Sequence, residues 1–450
     1  MTHDSIKTRA IDFSGVTAYV IVFNFIYIDY IAPKWGYYGM TYMAPNFALY
    51  ALAWIFALLP SLWLPINTGR ATEFVYWCLY LTVYIPSLFV PLYVQYDTDD
   101  RLLFLLVGLF IGLNIMMVVY RLPLLSVPRR PFDRRLYWFV VALIALTLDA
   151  IILITFRHQL RLVGFGDVYE VRLNSRMMTT NNLVGYAIMI LGWGIDPLLI
   201  AMSMFDRRRF FNWKFCLGAA GQLLVYSAAA HKVALLTIVL IPLFSTLLTR
   251  ARQRWSSWLV WSLSGSLAFF ILLLQIWPRS LLVMSFGDLL CMRTLVTPGF
   301  LTAAYEQFFS RYPHTWFLQH LPLLGRIYYP YQYDLGFEVG YYLNHNPEFN
   351  ANAHFWASDG LAGAGIPGIL VASVLCTLIF WVVDSMTSRF ERAFASTMIF
   401  GWALQITNVS LFTSVTTGGL GMLLVLLVFS PVRDAAIHNW PRLPDRQEAE

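Results

Sequence analysis

At 450 residues the chain is long enough for two or three soluble domains, yet 58% of it is hydrophobic and only 12% charged, against roughly 25% charged in a soluble domain. A mean hydropathy of +0.61 leaves too little polar surface to cover a globule of this size, which excludes a soluble enzyme, a disordered chain and a disulfide scaffold. The net charge of +6 comes from scattered loop residues and does not mark a nucleic-acid partner. The four cysteines, Cys78, Cys216 and Cys376 in apolar runs and Cys291 in a loop, form neither a disulfide framework nor a zinc spacing.

Apolar stretches of the length that crosses the hydrocarbon lie near 12–32, 44–64, 73–95, 102–120, 137–156, 183–204, 214–230, 233–249, 257–277, 367–384, 393–409 and 411–430. The chain is therefore expected to be all-α, one polytopic membrane domain over 1–450 with about twelve spans. The first stretch continues without a cleavage site and reads as a retained span. With the N-terminus inside, 20 of the 31 basic residues fall on the inside, as the positive-inside rule requires. The main contributors are RRPFDRR (129–135), DRRRFFNWK (206–214) and RARQR (250–254), with the acidic YDTDD (96–100) outside. Both termini are expected to be cytoplasmic, including the polar tail 433–450.

Two outer loops break the rule. Arg157, Arg161, Arg172 and Arg176 lie in the loop 157–182, and Arg279, Arg293, Arg311 and Arg326 in the long loop 277–366, whose apolar stretch 299–309 reads as an interfacial or re-entrant helix. Arginine presents a planar fork of donors suited to phosphate oxygens, so two loops supplying arginines to one cavity fit an anionic lipid-linked substrate. A pyrophosphate leaving group gains charge as its bond breaks, and fixed cations stabilise that transition state. The alternative is binding of lipid headgroups or pairing with Asp167, Glu170, Asp288 and Glu338.

Arg172 and Arg176, four apart, share a helix face, with Glu170 placed to orient one of them. Lys232, in AAAHKVALL, sits at the mouth of a very short outer connection; it is either functional or snorkels to the interface. Tyr305 and its aromatic neighbours, close to Arg293, suit a sugar ring or an interfacial helix equally. The stretch 335–368 carries six glycines and supplies Glu338, Asn350, Asn352, His354 and Asp359 as hydrogen-bonding groups. His354 and Asp359 are both candidates for a general base; five apart, they do not share a helix face, so at most one serves. Asp29, Asp149 and Asp196 are costly inside spans; a proton- or ion-coupled transporter would use such acids, but a charge pair with an arginine elsewhere in the bundle is the simpler reading.

VYEVR before a span, HKVALL at a span start, RTLVTPGFLTAAYEQFF, and NANAHFWASDGLAGAGIPG, in that order over roughly 160–370, resemble the oligosaccharide repeat-unit polymerases, the O-antigen polymerase or Wzy-type family. The first four spans match in hydropathy alone. The resemblance implies a metal-independent, cofactor-free enzyme of the bacterial inner membrane with a helical arrangement similar to the C-type glycosyltransferases. Such an enzyme would act at the periplasmic face on undecaprenyl-pyrophosphate-linked oligosaccharide, among membrane lipids, with a chain-length regulator and a flippase as partners. Essential arginines of the family correspond here to Arg172, Arg176 and Arg293, and the late-loop histidine of the related ligases has His354 as its nearest analogue, although the ligase motif itself is absent. The sequence expectation is thus a polymerase in which Arg172, Arg176 and Arg293 bind pyrophosphate with Lys232 assisting, Tyr305 holds sugar, and Asp359 or His354 activates the acceptor. An O-antigen ligase and a lipid-linked glycan flippase are the competing readings.

Overall fold

A computed structural model describes residues 3–127, 132–161, 182–205, 212–251, 254–317 and 329–431, and every regular element among them is helical. The helices are α1 (Ile6–Tyr38), α2 (Phe47–Leu62), α3 (Glu73–Val94), α4 (Asp99–Val119), α5 (Arg134–Phe156), α6 (Leu183–Met204), α7 (Trp213–Ala229), α8 (Lys232–Arg250), α9 (Trp255–Ile276), α10 (Leu281–Phe309), α11 (Leu335–Asn344), α12 (Trp356–Thr387), α13 (Arg392–Met398), α14 (Phe400–Ile406), α15 (Leu411–Thr416) and α16 (Leu420–Phe429). The protein is an all-α, multi-pass membrane protein; among the described residues ten helical units are long and apolar enough to cross a bilayer, with α15 and α16 together (Leu411–Phe429) counted as one.

The expected twelve becomes ten for local reasons. The stretch 44–64 forms the shorter α2, 214–230 forms the 17-residue α7, and 393–409 breaks into α13 and α14 of seven residues each. In the other direction, the 29-residue α10 falls inside the expected outer loop. Hydropathy averages over these positions and cannot register where a helix stops.

Contacts define two ends of the bundle. At one, the buried Glu73 at the start of α3 accepts hydrogen bonds from Asn67 N (2.7 Å), Thr68 N (2.7 Å), Thr68 Oγ1 (2.6 Å) and Trp255 Nε1 (2.9 Å), with Arg392 at 3.7 Å. This one carboxylate joins the starts of α3, α9 and α13. Beside it, Asp12 of α1 accepts from Ser256 and Ser257 of α9 (3.0 and 2.5 Å), and Asp384 of α12 accepts from Thr72 N and Oγ1 (2.9 and 2.7 Å). At the opposite end Arg101, in the first turn of α4, pairs with Glu306 of α10 at 3.0 Å.

Two segments meet in the interior. α10 follows the far end of α9, and its last turn reaches Arg101 and the Tyr96 carbonyl, whereas its π-helical stretch Asp288–Val296 packs on Tyr80–Tyr84 halfway along α3. The stretch 299–309, expected as an interfacial or re-entrant helix, is the last part of this one long helix. α13 starts beside Glu73 and α16 finishes where Phe132 N donates to Phe429 O (3.1 Å), with Ser410 between them reaching the bundle interior. These four short helices, α13–α16, occupy the expected last two spans.

Helix α12 completes the frame. Gly108 and Gly112 of α4, one turn apart, let α12 approach so closely that a methyl group at either would lie 2.8 Å from Ile366 or 2.7 Å from Ser373; small residues of this kind are how helices associate in lipid. Near its start α12 is broken at Ala364 and Gly365, the latter with φ +66 in the left-handed region that glycine tolerates. We predict that Glu73→Ala, which takes the acceptor from two backbone N–H groups and an indole, lowers stability by about 3 kcal/mol or more. Glu73→Gln, which keeps an acceptor oxygen, costs less; unfolding of the detergent-solubilised variants gives the ranking.

Candidate functional site

The residues singled out between 305 and 359 converge at the Glu306 end on one short extended segment, 349–355. Tyr305, buried on α10, donates its hydroxyl to the Ala351 carbonyl (3.0 Å), and Ala351 N donates to Gly336 O of α11 (2.7 Å). Gly336 and Gly340 lie one turn apart on α11 and face this segment. A methyl group at Gly336 would overlap the amide oxygens of Asn350 and Asn352, and one at Gly340 the Phe349 carbonyl. Asn350 Oδ1 accepts from Asn352 N (3.0 Å), a local turn of the kind asparagine favours. Glu338 accepts from Tyr333 N (2.8 Å) and so closes the turn that precedes α11. Tyr305, Glu338 and Asn352 thus belong to one unit. Its outer wall is aromatic: Phe308 stacks on Tyr312 (4.6 Å between centroids) and meets Tyr342 edge-on (5.4 Å), whose hydroxyl accepts from Arg311 (3.1 Å).

His354 and Asp359 hang from the same segment and point to different neighbours. His354 is fully buried. Its Nε2 lies 3.0 Å from Thr302 Oγ1 and 3.2 Å from Pro298 O on α10; the carbonyl only accepts, so Nε2 carries the proton. Burial lowers the imidazole from 6.5 to about 3, so the ring is neutral at physiological pH. Asp359 accepts from Ser410 Oγ (2.6 Å) and Leu411 N (2.7 Å), tying α12 to the first turn of α15. Either side chain acting as base would have to be released from these bonds, because both are enclosed, at 0% and 1% exposure. These bonds hold 354–359 between α10 and the start of α15.

Arg293 is exposed on the π-helical stretch of α10, about 18 Å along the helix from Tyr305 at 1.5 Å per residue. Lys232 opens α8, which packs on α6, α7, α9, α13 and α14 and belongs to another part of the bundle. Glu170, Arg172 and Arg176 lie outside the described residues. Asp288, a suggested partner for a loop arginine, is instead answered by α1: Lys34 Nζ reaches it at 2.6 Å and the Tyr30 hydroxyl at 2.9 Å.

A cluster that sequence reading did not assemble stands at the rim. Glu306 is buried, Arg101 Nε lies 3.0 Å from its Oε1 and 3.8 Å from Asp97 Oδ1, and the Glu306 and Asp97 carboxyls face each other. Arg101 remains 44% exposed, so the cluster opens to the surface. An adjacent guanidinium that reaches the surface offers anion binding. Both halves were visible, as YDTDD and as an acid inside AAYEQFF, but they are 205 residues apart. Among the described residues no three His, Cys, Asp or Glu side chains converge as a metal ligand set.

Comparison of the chain with family models, with curated proteins and with solved structures gives no match.

The state of His354 sets a pH dependence. Neutral when folded and free to protonate when unfolded, it withdraws stability as pH falls below about 6.5, by up to about 1.4 kcal/mol per pH unit down to about pH 3. Thermal unfolding of wild type and His354→Asn across that window should show a shallower acid slope for the variant.

Proposed function

We propose that this protein is a membrane glycosyltransferase that polymerises undecaprenyl-pyrophosphate-linked oligosaccharide repeat units into O-antigen or a related surface polysaccharide, with the Glu306 end facing the periplasm of a bacterial inner membrane. The observation that carries this reading is the composition of that end: an aromatic wall and a buried carboxyl beside the exposed Arg101, on a helix that bears a second exposed arginine, Arg293, farther along. In this reading Arg293, with Arg172 and Arg176, binds pyrophosphate, Lys232, expected to assist, has no role because it sits in another part of the bundle, and the aromatic wall around Phe308 and Tyr342 takes the sugar rings. The acceptor hydroxyl attacks the anomeric carbon of the growing glycan, the carbon–oxygen bond to pyrophosphate breaks, and the hydroxyl proton passes to the Glu306–Asp97 pair. Tyr305, Asn352, Glu338, His354 and Asp359 keep the wall and the floor in register.

One observation favours a second reading, a lipid-linked glycan flippase or transporter: α13–α16 is a set of short helices broken inside the bundle, an arrangement that transporters use at their binding sites. The two readings separate in proteoliposomes loaded with a synthetic undecaprenyl-pyrophosphate repeat unit. A polymerase makes a ladder of products; a flippase moves substrate without a new glycosidic bond; a ligase makes product only when lipid A core is added. Under the polymerase reading, Arg293→Ala and Glu306→Gln each reduce the ladder at least about 100-fold, the scale of a lost transition-state charge contact or a lost general base. An undiminished ladder in either variant removes that residue from the mechanism.

A further inference from the structure

The buried carboxylates at the Glu73 end and Asp359 are each answered by donors from neighbouring helices, and Asp196 is not. It lies in the middle of α6, where the π-helical stretch Leu191–Ile195 gives way to α-helix. Its side chain is fully buried, and neither carboxylate oxygen has a hydrogen-bond partner. Asp149 of α5 interacts with it through space, and Asp149 Oδ1 is likewise buried and unpartnered. On α7, Gly221 faces the Asp196 carboxylate so closely that a methyl group there would overlap it. The next residue, Gln222, is fully buried: its Nε2 donates to Gly192 O (2.9 Å), one turn before Asp196, and its Oε1 has no partner.

The ionisable groups on the surrounding helices do not answer the pair. Lys214 of α7 stacks over the Trp138 ring (4.0 Å), Arg392 of α13 lies beside Glu73 (3.7 Å), Lys232 and Arg250 occupy the two tips of α8, and α14 and α16 carry none. What remains, among the described residues, is a set of buried acceptor oxygens from three helices at mid-depth, Asp149 Oδ1, both Asp196 oxygens and Gln222 Oε1, that no hydrogen-bond donor meets. Such a group is complementary to a small cation, and buried acids of this kind in membrane proteins mark ion and proton sites.

We propose that Asp196, Asp149 and Gln222 form an intramembrane site for a small monovalent cation, either a proton or an alkali-metal ion. Gly221 supplies the space beside the Asp196 carboxylate. The site is independent of the Glu306 end and of any activity there, and no substrate group is required to fill it.

The test uses the full chain in lipid nanodiscs, with infrared spectroscopy of the carboxyl stretch and thermal unfolding in sodium, lithium, potassium or N-methylglucamine chloride at matched ionic strength. If the occupant is a proton, wild type shows a protonated-carboxyl band at neutral pH in all four salts, and Asp196→Asn loses it. If the occupant is an alkali ion, the unfolding midpoint rises with sodium or lithium and not with N-methylglucamine, and Asp196→Asn abolishes the rise. Gly221→Ala keeps both acids and fills the space between α6 and α7, so it should shift the band or abolish the salt effect. Wild type with neither signal, or signals that persist unchanged in both variants, would overturn the proposal. The wild-type spectrum does not depend on either variant folding.

Discussion

A bilayer interior offers no hydrogen-bond partner, so each polar group that the chain carries into it has to be answered from within the chain. That requirement organises the bundle. Glu73 gathers donors from the preceding loop and from α9, with Arg392 of α13 beside it; Asp12 ties α1 to α9, and Asp384 ties α12 to the turn before α3. Apart from the local bonds from Asn67 and Thr68, these ties are long-range and fix separate helices against one another. Apolar packing alone would not set such a register, because lipid tails solvate leucine as well as a neighbouring helix does.

The same accounting explains how the middle of the molecule is assembled. The last turn of α10 lies at one end, α13 starts and α16 finishes at the other, and both segments are interrupted, α10 by a π-helical stretch and α13–α16 by turns. Between them runs segment 349–359, held on one side by Tyr305 and Thr302 and on the other by Ser410 and the Leu411 N–H. The aromatic wall and the Arg101–Glu306–Asp97 cluster stand on this joint. Their geometry therefore rests on hydrogen bonds that are themselves buried, where a satisfied network rigidifies and an unsatisfied one is costly.

Hydropathy and loop charge were enough to read the class of fold and the positions of most long helices. The helix interruptions at Ile399 and at 417–419 went unread, because hydropathy averaged over 393–409 and 411–430 does not register a break of one to three residues. At the site, the sequence marked which residues are polar without saying whom they face. His354 and Asp359, read as rival bases, are hydrogen-bonded to α10 and α15 respectively, and Glu306, passed over inside an aromatic run, stands beside an arginine 205 positions away. Long-range pairing of this sort leaves no periodicity in the chain.

Five stretches of the described helices are wound as π-helix: Tyr27–Ile31, Tyr80–Tyr84, Leu191–Ile195, Asp288–Val296 and Trp356–Leu361. Four of them contain or adjoin an acid, namely Asp29, Asp196, Asp288 and Asp359. A single-turn π-bulge accommodates one residue more than the α-helix around it, and each added residue turns the rest of a helix by about 100° at 3.6 residues per turn. Chain length inside these stretches thus acts as an aiming device. A single-codon deletion in one of them would leave hydropathy and span length almost untouched, yet would swing its acid away from its present neighbours and onto a different helix or into the lipid.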